Sequence, residues 1–327
     1  MALLRVLADG RFHSGAELGR TLGITRSAVW KQVGKLEALG LDIHAVRGRG
    51  YRIPGGLELL DSDAIRAAIR DDCLPRLRDL QIQALIDSTN SRLMSLARGG
   101  GPSGCACLAE MQTGGRGRRG RTWFGNFGAN LFLSLLWRYN SGPSALTGLS
   151  LLAGIACVRA LTDHGVQGVR LKWPNDLLWD GRKLGGILVE MTGESAGPCA
   201  VVVGVGLNLR LAENAAATID QPWTDLKTID PALAQGRNRL AGRVLHHLLD
   251  LLPGFDARGL APYQEEWNRH DAYADRAVVL RGAGEDVAGV ARGIDPGGAL
   301  LLERQGRLQA MFGGELSLRP VPDTTEL

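Results

Sequence analysis

The sequence predicts an α/β multidomain protein with three parts. These are a helical N-terminal domain over residues 1–56, a mixed α/β domain over residues 57–268 and a small antiparallel β-barrel over residues 269–327. Helical periodicity dominates the first part, apolar runs alternate with amphipathic segments in the second, and short glycine-separated strands fill the third. The chain has 327 residues, of which 45% are hydrophobic, so it is long enough for two or three buried cores.

The N-terminal domain has the element order of a winged helix-turn-helix. A short helix over residues 2–8 precedes a second helix, which begins at a capping box formed by Ser14 and Glu17. Thr25 is a suitable N-cap for a third helix. A hairpin follows, and its tip carries Arg47 and Arg49 between glycines. This order predicts a third helix that enters the major groove and a basic wing on the phosphates.

Polar and basic side chains occupy the surfaces of this domain that would meet DNA. We predict that bases and phosphates are contacted by Arg26, Ser27, Lys31, Gln32, Lys35, Arg47 and Arg49. The alternative is a small helical cap whose basic residues are only solvated, and a charged helix face alone would favour it. The helix order, Gly23 in the turn and the basic wing together favour DNA binding.

The central domain begins after Pro54-Gly55-Gly56 and reads as a sheet with covering helices. Strands are predicted at residues 80–86, 105–110, 129–137, 169–173, 186–191 and 200–207. Helices are predicted at residues 61–70, 91–98, 147–161 and 240–252. The C-terminal part has predicted strands at residues 277–280, 287–294, 299–304, 308–312 and 316–318. Glycine-marked turns separate them, which predicts a small barrel of the SH3-like type.

The net charge, the cysteine count and the length of the apolar runs exclude several classes of protein. A net charge of +4 does not by itself indicate a nucleic-acid partner. Five scattered cysteines without a CxxC pair argue against a disulfide framework and against a structural zinc site. We expect no apolar run long enough to cross a bilayer, which needs about 20 residues. The N-terminus becomes polar too quickly for a signal peptide. The sequence therefore predicts a cytoplasmic protein with no membrane partner.

Two polar clusters follow predicted strands of the central domain. The first, Asp87-Ser88-Thr89-Asn90, can cap the next helix, and its hydroxyls can also face a ligand carbonyl. The second, residues 114–121, contains four arginines and four glycines just before a core strand. Glycines expose backbone N–H groups, which with guanidinium groups predict an anion cradle. A solvated loop is the alternative. A disordered RNA-binding tail does not fit a segment between two core strands.

Two further clusters add charged side chains and glycines at which a ligand can come close to the backbone. Residues 172–176 and 183–186 bring two lysines, an amide and a carboxylate within fifteen residues. An ordinary turn is the plain interpretation, but a carboxylate can hold Mg²⁺ and lysines can neutralise a phosphate. Glycines in residues 204–208 let a ligand approach a strand. The chain has no P-loop, no GxGxxG turn and no readable catalytic triad. It therefore predicts activation by positioning and charge neutralisation.

These motifs together resemble those of the biotin protein ligases. GRGRRGRTWFGNFGANLFLS, KWPNDL, KLGGILVE and GVGLNL occur in the family's order, and GIDPGGALLLE and GGELSLR also match. With the winged helix, the chain resembles the bifunctional type, a biotin operon repressor and biotin–[acetyl-CoA-carboxylase] ligase. The resemblance implies that ATP, biotin and Mg²⁺ give biotinyl-5′-AMP. A lysine of the biotin carboxyl carrier protein of acetyl-CoA carboxylase then takes the biotin.

The same resemblance assigns roles to individual residues. Biotin would be bound by Ser88, Thr89, Asn90, Gln112, Gly115, Arg116, Arg118, Lys183 and Gly186. ATP and the adenylate would be bound by Arg118, Arg121, Trp123, Lys172, Asn175, Asp176, Lys183 and Asn208. The catalytic residues would be Lys183 and Arg118, and Asp176 would be a Mg²⁺ ligand. The arginine–glycine loop is expected to be mobile when empty and to fold over the ligand.

The resemblance also implies a homodimer that binds biotin operator DNA once the adenylate is bound. Trp30 stands where the best-known repressors have a polar residue, which changes the expected operator contacts. Gly185 replaces a common alanine, a change predicted to be tolerated. Three alternatives are a biotin sensor without ligation, a ligase whose winged helix only orders the catalytic domain, and a lipoate ligase. The KWPND and GRGRRG patterns fit biotin better than lipoate.

Overall fold

The computed structural model describes residues 1–194, 197–211, 219, 221–282, 286–312 and 317–320. Its N-terminal domain confirms the predicted winged helix-turn-helix order. The elements are α1 (Ala2–Leu7), α2 (Gly15–Leu22), α3 (Arg26–Ala38), β1 (His44–Val46) and β2 (Gly50–Arg52). β1 and β2 pair antiparallel as the predicted hairpin.

Local capping explains where these helices begin and end. The Ser14 hydroxyl accepts from the Glu17 N–H, and the Glu17 carboxylate accepts from the Ser14 N–H, so the predicted capping box begins α2. Gly23 ends α2 in the left-handed conformation with φ of 65°, and Thr25 caps α3. The apolar faces close a core that includes Leu3, Leu4, Leu7, Leu18, Val29 and Val33.

The central domain is built on one mixed sheet. Its elements are α4 (Ser62–Ala67), β3 (Asp79–Ile86), α5 (Thr89–Arg98), β4 (Cys105–Gln112), β5 (Asn130–Tyr139), α6 (Leu149–Asp163), β6 (Arg170–Lys172), β7 (Asp176–Trp179), β8 (Arg182–Gly193), β9 (Cys199–Asn208), α7 (Leu226–Ile229), α8 (Arg237–Leu251), α9 (Phe255–Arg258) and α10 (Gln264–Arg269). Among the described residues the strand order is β3-β4-β5-β9-β8-β7-β6. β3 and β4 are parallel, and every other neighbouring pair is antiparallel.

Helices cover both faces of this sheet. α6 and α8 pack on one face and form the largest core cluster with β5, β8 and β9. α5 covers part of the other face, where Leu93 and Met94 pack on Cys105, Cys107 and Val202. The second face stays open beyond the N-terminus of α5. The polar clusters singled out in the sequence lie there.

The expectation that no apolar run could cross a bilayer was wrong for one segment. The helical stretch Pro143–Asp163, with 21 residues, is long and apolar enough by length and composition. However, α6 lies within this stretch, and its apolar residues are buried between the sheet and α8. In the part of the chain that the structure describes, this stretch is therefore a core helix.

The C-terminal domain is an antiparallel sheet, as predicted. Its strands are β10 (Ala277–Arg281), β11 (Val287–Ile294), β12 (Leu300–Arg304), β13 (Arg307–Met311) and β14 (Ser317–Pro320), in the order β13-β12-β11-β10-β14. The indole Nε1 of Trp173 donates to the Gly298 carbonyl at 3.1 Å, and Leu280 and Ile294 join the central core. This sheet is therefore firmly packed against the KWPND segment.

A buried polar network joins the segment after the winged helix to the central sheet. Arg237 at the start of α8 forms an ion pair with Glu110 of β4, and both side chains are only 2–3% exposed. The second Glu110 oxygen accepts from the Leu60 N–H at 2.7 Å. Glu58 accepts from the backbone N–H groups of Arg237 and Asn238 at 2.7 and 3.0 Å. The linker is thus held by charge-assisted hydrogen bonds rather than being a loose tether.

The burial of Asp271 predicts that the stability of the fold depends on pH. Burial raises the pKa of Asp271 to about 6, and its Oδ2 has no hydrogen-bond partner in the described residues. Because the folded pKa lies above the unfolded value, the contribution of Asp271 to the free energy of unfolding is largest at low pH. This contribution is lost as the pH rises through 6. We expect Asp271→Asn to stabilise the fold by up to about 3 kcal/mol at pH 7.5. Denaturant unfolding should show this gain disappearing near pH 4. An equal gain at both pH values would contradict it.

Candidate functional site

A cavity of about 380 Å³ opens on the sheet face beyond the N-terminus of α5. It lies between residues 116–124, the KWPND segment and β14. Its walls include the predicted residues Ser88, Thr89, Asn90, Gln112, Arg116, Arg118, Arg121, Trp123, Lys172, Asn175, Asp176, Lys183, Gly186 and Asn208. Gly115 does not line the cavity. It is a buried residue of the arginine–glycine loop, and its carbonyl accepts from the Trp123 N–H at 2.8 Å.

Hydroxyl and amide groups form one end of the cavity. Ser88 caps α5, and the Thr89 N–H and hydroxyl both donate to Gln112 Oε1, at 2.7 and 3.0 Å. The Ser134 hydroxyl lies 2.7 Å from Thr89 Oγ1 and 2.6 Å from Asn90 Oδ1. Since Ser88, Thr89, Asn90 and Ser134 are all buried, this network fixes donors and acceptors before any ligand arrives. Helix capping and ligand contact are therefore compatible roles here.

The arginine–glycine loop lies over the cavity and is held at both ends. The Gly114 N–H donates to the Asp87 carbonyl at 2.8 Å, and the Trp123 N–H donates to the Gly115 carbonyl at 2.8 Å. Arg118 donates to Asn175 Oδ1 at 3.2 Å, and Arg116 to Glu190 Oε1 at 3.3 Å. The glycines let the backbone turn sharply, and the arginines project from it toward the cavity. The mobility of this loop without ligand stays a prediction.

The most charged part of the cavity is a cluster of two lysines around one carboxylate. Lys183 Nζ lies 2.6 Å from Asp176 Oδ1, and Lys172 Nζ lies 3.4 Å from Asp176 Oδ2. Burial alone would raise the pKa of Asp176, but the two ammonium charges outweigh burial and hold that pKa below the usual carboxyl value. Burial also lowers the pKa of Lys172, and the charge of Asp176 opposes this effect. With Asp176 ionised, the cluster carries a net positive charge.

A β-bulge places Lys183 in this cluster. The β7–β8 register pairs Leu177 with Gly185 and then Leu178 with Lys183, so Leu184 is the extra residue. Leu184 is fully buried in the core. Strict alternation from Gly186 would turn Lys183 to the opposite face of the sheet. The extra residue reverses that alternation, and the Lys183 amine lies 3.5 Å from the position of a Cβ at Gly186.

Glycines on the sheet make room for the Trp123 indole. A Cβ at Gly206 would lie 2.6 Å from the Trp123 ring, and one at Gly186 would lie 3.2 Å from it. Lys183 Nζ is 5.3 Å from the ring centroid, within the range of a cation–π contact. Gly185 faces the core instead, where a Cβ would lie 2.5 Å from Leu207. The alanine that is common at this position in the family would therefore require a shift of its neighbours in this chain.

Two predicted residues are already committed to other protein groups. Asp176 faces an ammonium group with each of its oxygens, so this donor set does not fit direct Mg²⁺ coordination. Asn208 donates to the Thr224 carbonyl at 3.1 Å and accepts from Asn130 at 3.1 Å. Its amide holds β9 to the segment that follows. A direct contact of Asn208 with a nucleotide stays a prediction.

The structure also places unpredicted residues around the cavity. They are Gln221, Trp223, Ser317, Leu318 and Arg319. Arg319 comes from the C-terminal sheet and adds a cation to the side of the cavity near Lys172. Its motif, GGELSLR, resembles the family pattern, so the basic residue in that motif was a usable signal. The packing of β14 against the cavity had no local sequence signal.

The predicted DNA-contacting residues lie mostly on one exposed surface. Arg26, Ser27, Lys31 and Lys35 of α3 and Arg47 of the wing are exposed, whereas Gln32 is half-buried. Trp30 is 67% exposed on the same helix. The Arg49 guanidinium stacks on the Phe12 ring, with Cζ 4.2 Å from the centroid. The wing is thus tied to the segment before α2.

Comparisons with known proteins identify the family and support the fold. The Biotin/lipoate A/B protein ligase family matches residues 83–208, and a helix-turn-helix (HTH) domain family matches residues 1–52. The chain is 42% identical to the bifunctional ligase/repressor BirA of Salmonella typhimurium, over 98% of this chain and 97% of that protein. Identity to the Escherichia coli BirA is 41%, with the same coverage. The Aquifex aeolicus biotin protein ligase in complex with biotin and ATP matches with a TM-score of 0.61 and 26% identity, covering 75% of this chain and 100% of that one.

Proposed function

Because the chain belongs to the biotin protein ligase family and has the domains of its bifunctional ligase/repressor members, we propose that it activates biotin with ATP and transfers it to a carrier-protein lysine. We further propose that it represses transcription when it holds the adenylate. The observation that carries the ligase proposal is the Lys183–Asp176–Lys172 cluster, which faces a cavity covered by the arginine–glycine loop.

In the first step, a carboxylate oxygen of biotin attacks the α-phosphorus of ATP. The new O–P bond forms while the bond to pyrophosphate breaks, which gives biotinyl-5′-AMP. Negative charge increases on the phosphate oxygens in the transition state. Lys183 and Arg118 supply fixed positive charge at this end of the cavity, and Asp176 holds the Lys183 ammonium in place. Such preorganised charge stabilises the transition state more than the ground state.

In the second step, the amine of an acceptor lysine attacks the acyl carbon of the mixed anhydride. The C–N bond forms, the C–O bond to AMP breaks, and the amine loses a proton. The acceptor that this proposal implies is a biotin carboxyl carrier protein. Neither step needs a nucleophile from the ligase itself, since biotin and the acceptor lysine are the nucleophiles and AMP is the leaving group of the second step. Because Asp176 does not fit Mg²⁺, no step here depends on a metal held by this residue.

The repressor proposal depends on the contact between the ligand-binding region and the winged helix. Phe127 lies six residues after the arginine–glycine loop and is buried in the winged-helix core. Asn126 lies against Gly40, where a Cβ would be 2.5 Å from its amide nitrogen. These packed side chains give a change in the loop on adenylate binding a physical route to the DNA-binding domain. We propose that the adenylate-bound form is a homodimer that binds biotin operator DNA in the cytoplasm.

The ligase proposal is tested by transfer of labelled biotin to a biotin-accepting carrier domain. We expect transfer that requires ATP and is not competed by lipoate. Competition by lipoate at equal concentration would favour a lipoate ligase. Biotin binding without transfer would leave a DNA-binding biotin sensor. Transfer without binding to biotin operator DNA would leave a ligase whose winged helix only orders the catalytic domain.

Arg118→Gly is expected to release biotinyl-5′-AMP at least about tenfold faster. The substitution removes a guanidinium from the covering loop together with its bond to Asn175, and a charge-assisted hydrogen bond is worth about 1.5–3 kcal/mol. Filter-binding of labelled adenylate measures the release rate. Arg98→Gly, an exposed arginine at the end of α5, is the matched control. Equal release from the Arg118 variant and the unmodified chain would exclude this role.

Arg49→Ala is expected to weaken binding to operator DNA and to flatten its salt dependence. Loss of one phosphate contact should lower the slope of log K against log salt by about 1. The stacking of Arg49 on Phe12 fixes the wing in place, so part of the loss should come from a looser wing. Fluorescence anisotropy at several salt concentrations, with Arg98→Ala as control, measures both effects. An unchanged slope would remove Arg49 from the DNA contact.

A further inference from the structure

A second cluster of potential ligand atoms lies on the far side of the central sheet, away from the cavity. Cys73 precedes a short 3-10 helix after α4, and His246 lies in the middle of α8. The Cys73 sulfur, one ring nitrogen of His246 and a carboxylate oxygen of Asp72 all lie within 4.8 Å of one another. Asp72 and Cys73 are adjacent, but His246 lies more than 170 residues further along the chain, which explains why the spacing of cysteines and histidines did not predict a site.

His246 is the observation that points to a ligand. Its side chain is 1% exposed, and neither Nδ1 nor Nε2 has a hydrogen-bond partner among the described residues. A buried imidazole without partners costs free energy, because its polar atoms have left water without compensation. His247 beside it is satisfied, since its Nε2 lies 2.9 Å from the Asp163 carboxylate. The nitrogens of His246 are therefore available to a ligand, and one of them lies within 4.8 Å of the Cys73 sulfur and of an Asp72 carboxylate oxygen.

We propose that Asp72, Cys73 and His246 form a binding site for a borderline-soft divalent cation of the Zn²⁺ class. Thiolate, imidazole and carboxylate are the three ligand types that Zn²⁺ takes in proteins, and water supplies the fourth position where the protein offers three. Mg²⁺ and Ca²⁺ prefer oxygen ligands and do not suit a cysteine–histidine pair.

The geometry needs only a small adjustment. Tetrahedral Zn²⁺ places its ligand atoms roughly 3.5 Å apart, and the three donor atoms lie within 4.8 Å of one another, so no pair has to close by more than about 1.3 Å. Cys73 and His246 are buried and fixed, whereas the Asp72 side chain is 66% exposed and can rotate. The contact of Asp72 with Arg70 is long, at 4.0 Å. Binding replaces the thiol proton of Cys73 by the metal, so one proton is released for each ion bound.

The surrounding residues hold the loop in position for this role. Arg76 donates to the Leu249 carbonyl of α8 at 2.9 Å, and the same Nη1 lies 3.8 Å from the Cys73 sulfur. A bound ion would hold the loop after α4 against α8, on the side of the central sheet opposite the cavity.

The test is metal binding by the untagged full-length protein, with Co²⁺ as a spectroscopic probe and Zn²⁺ by calorimetry. We expect a single Co²⁺ per chain with a thiolate-to-cobalt band in the near ultraviolet, and displacement of this band by Zn²⁺. Zn²⁺ binding should release a proton and raise the Tm. Absence of the band together with absence of Zn²⁺ binding to the unmodified chain would overturn the proposal.

Variants assign the ligands. Cys73→Ser should abolish the thiolate band, and His246→Gln should weaken Zn²⁺ binding by more than about 100-fold, since changes in outer-shell groups alone cost 10–100-fold. Asp72→Asn changes only an exposed side chain, so it tests the site even if the buried variants fail to fold. Cys105→Ser, another buried cysteine, is the control and should bind normally. Unchanged binding by Asp72→Asn and by a folded Cys73→Ser would assign the ion elsewhere and refute the site.

Discussion

Lys183→Met is expected to lower the rate of biotin adenylation by about 100- to 1,000-fold, the usual cost of removing one group that stabilises developing negative charge. The Lys183 amine lies beside Asp176 at 2.6 Å and faces the cavity under Trp123. Methionine keeps a similar side-chain volume without the charge. Single-turnover formation of the adenylate measures the step directly. Lys227→Met, on an exposed lysine of α7, is the matched control and should leave the rate unchanged.

A lower rate in Lys183→Met has two candidate causes. One is loss of the Lys183 charge from the reaction, and the other is a changed environment of the Asp176 carboxylate. Without Lys183, Lys172 is the ion-pair partner that Asp176 keeps among the described residues, so the cluster loses its net positive charge and can bind ATP more weakly for that reason alone. The double variant Lys183→Met/Asp176→Asn removes both charges. We expect the double variant to recover ATP binding while the adenylation rate stays low. A double variant that recovers the full rate would show that Lys183 only compensates Asp176, which would end its catalytic assignment.

Arg237→Met is expected to destabilise the protein by about 3–5 kcal/mol, because it leaves the buried Glu110 carboxylate without its ion-pair partner. The linker should loosen as well, since Glu110 also accepts from Leu60. Denaturant unfolding followed by tryptophan fluorescence measures the change. Arg239→Met, on an exposed arginine of the same helix, is the control. A loss below about 1 kcal/mol for Arg237→Met would show that the network is not a stabilising connection.

A double variant tests the cause of this loss. Glu110→Gln/Arg237→Met removes both charges, so no uncompensated ion remains in the interior. Replacing both members of a buried ion pair is often close to neutral. We therefore expect the double variant to recover much of the stability of Arg237→Met. A sum of two independent losses would contradict the paired role of these residues.

Elements with strong local signals were predicted well from the sequence. The winged helix follows from local chemistry, since Ser14, Thr25 and Gly23 each set a helix boundary in the way that their side chains or backbone freedom suggest. The long buried strands β5 and β9 follow from continuous apolar runs. These signals act within a few residues and need no tertiary information.

Other features depend on tertiary contacts and had no local signal. β7 was interpreted as part of a turn, because its few residues form a strand only by pairing with β6 and β8. The bulge at Leu184 that turns Lys183 to the cavity cannot be seen in a one-dimensional pattern. Arg319 belongs to a motif that resembles the family pattern, but its place at the cavity depends on the packing of β14, which had no local signal. Asp176 was assigned to Mg²⁺ because a carboxylate alone does not reveal its two lysine partners.

The most direct test of the central claim is biotin-dependent exchange of labelled pyrophosphate into ATP by the purified protein. This exchange isolates the first half-reaction and needs neither an acceptor nor DNA. We predict exchange with biotin but not with lipoate, and loss of exchange in Lys183→Met. Biotin binding without any exchange would contradict the proposal that this cavity activates biotin.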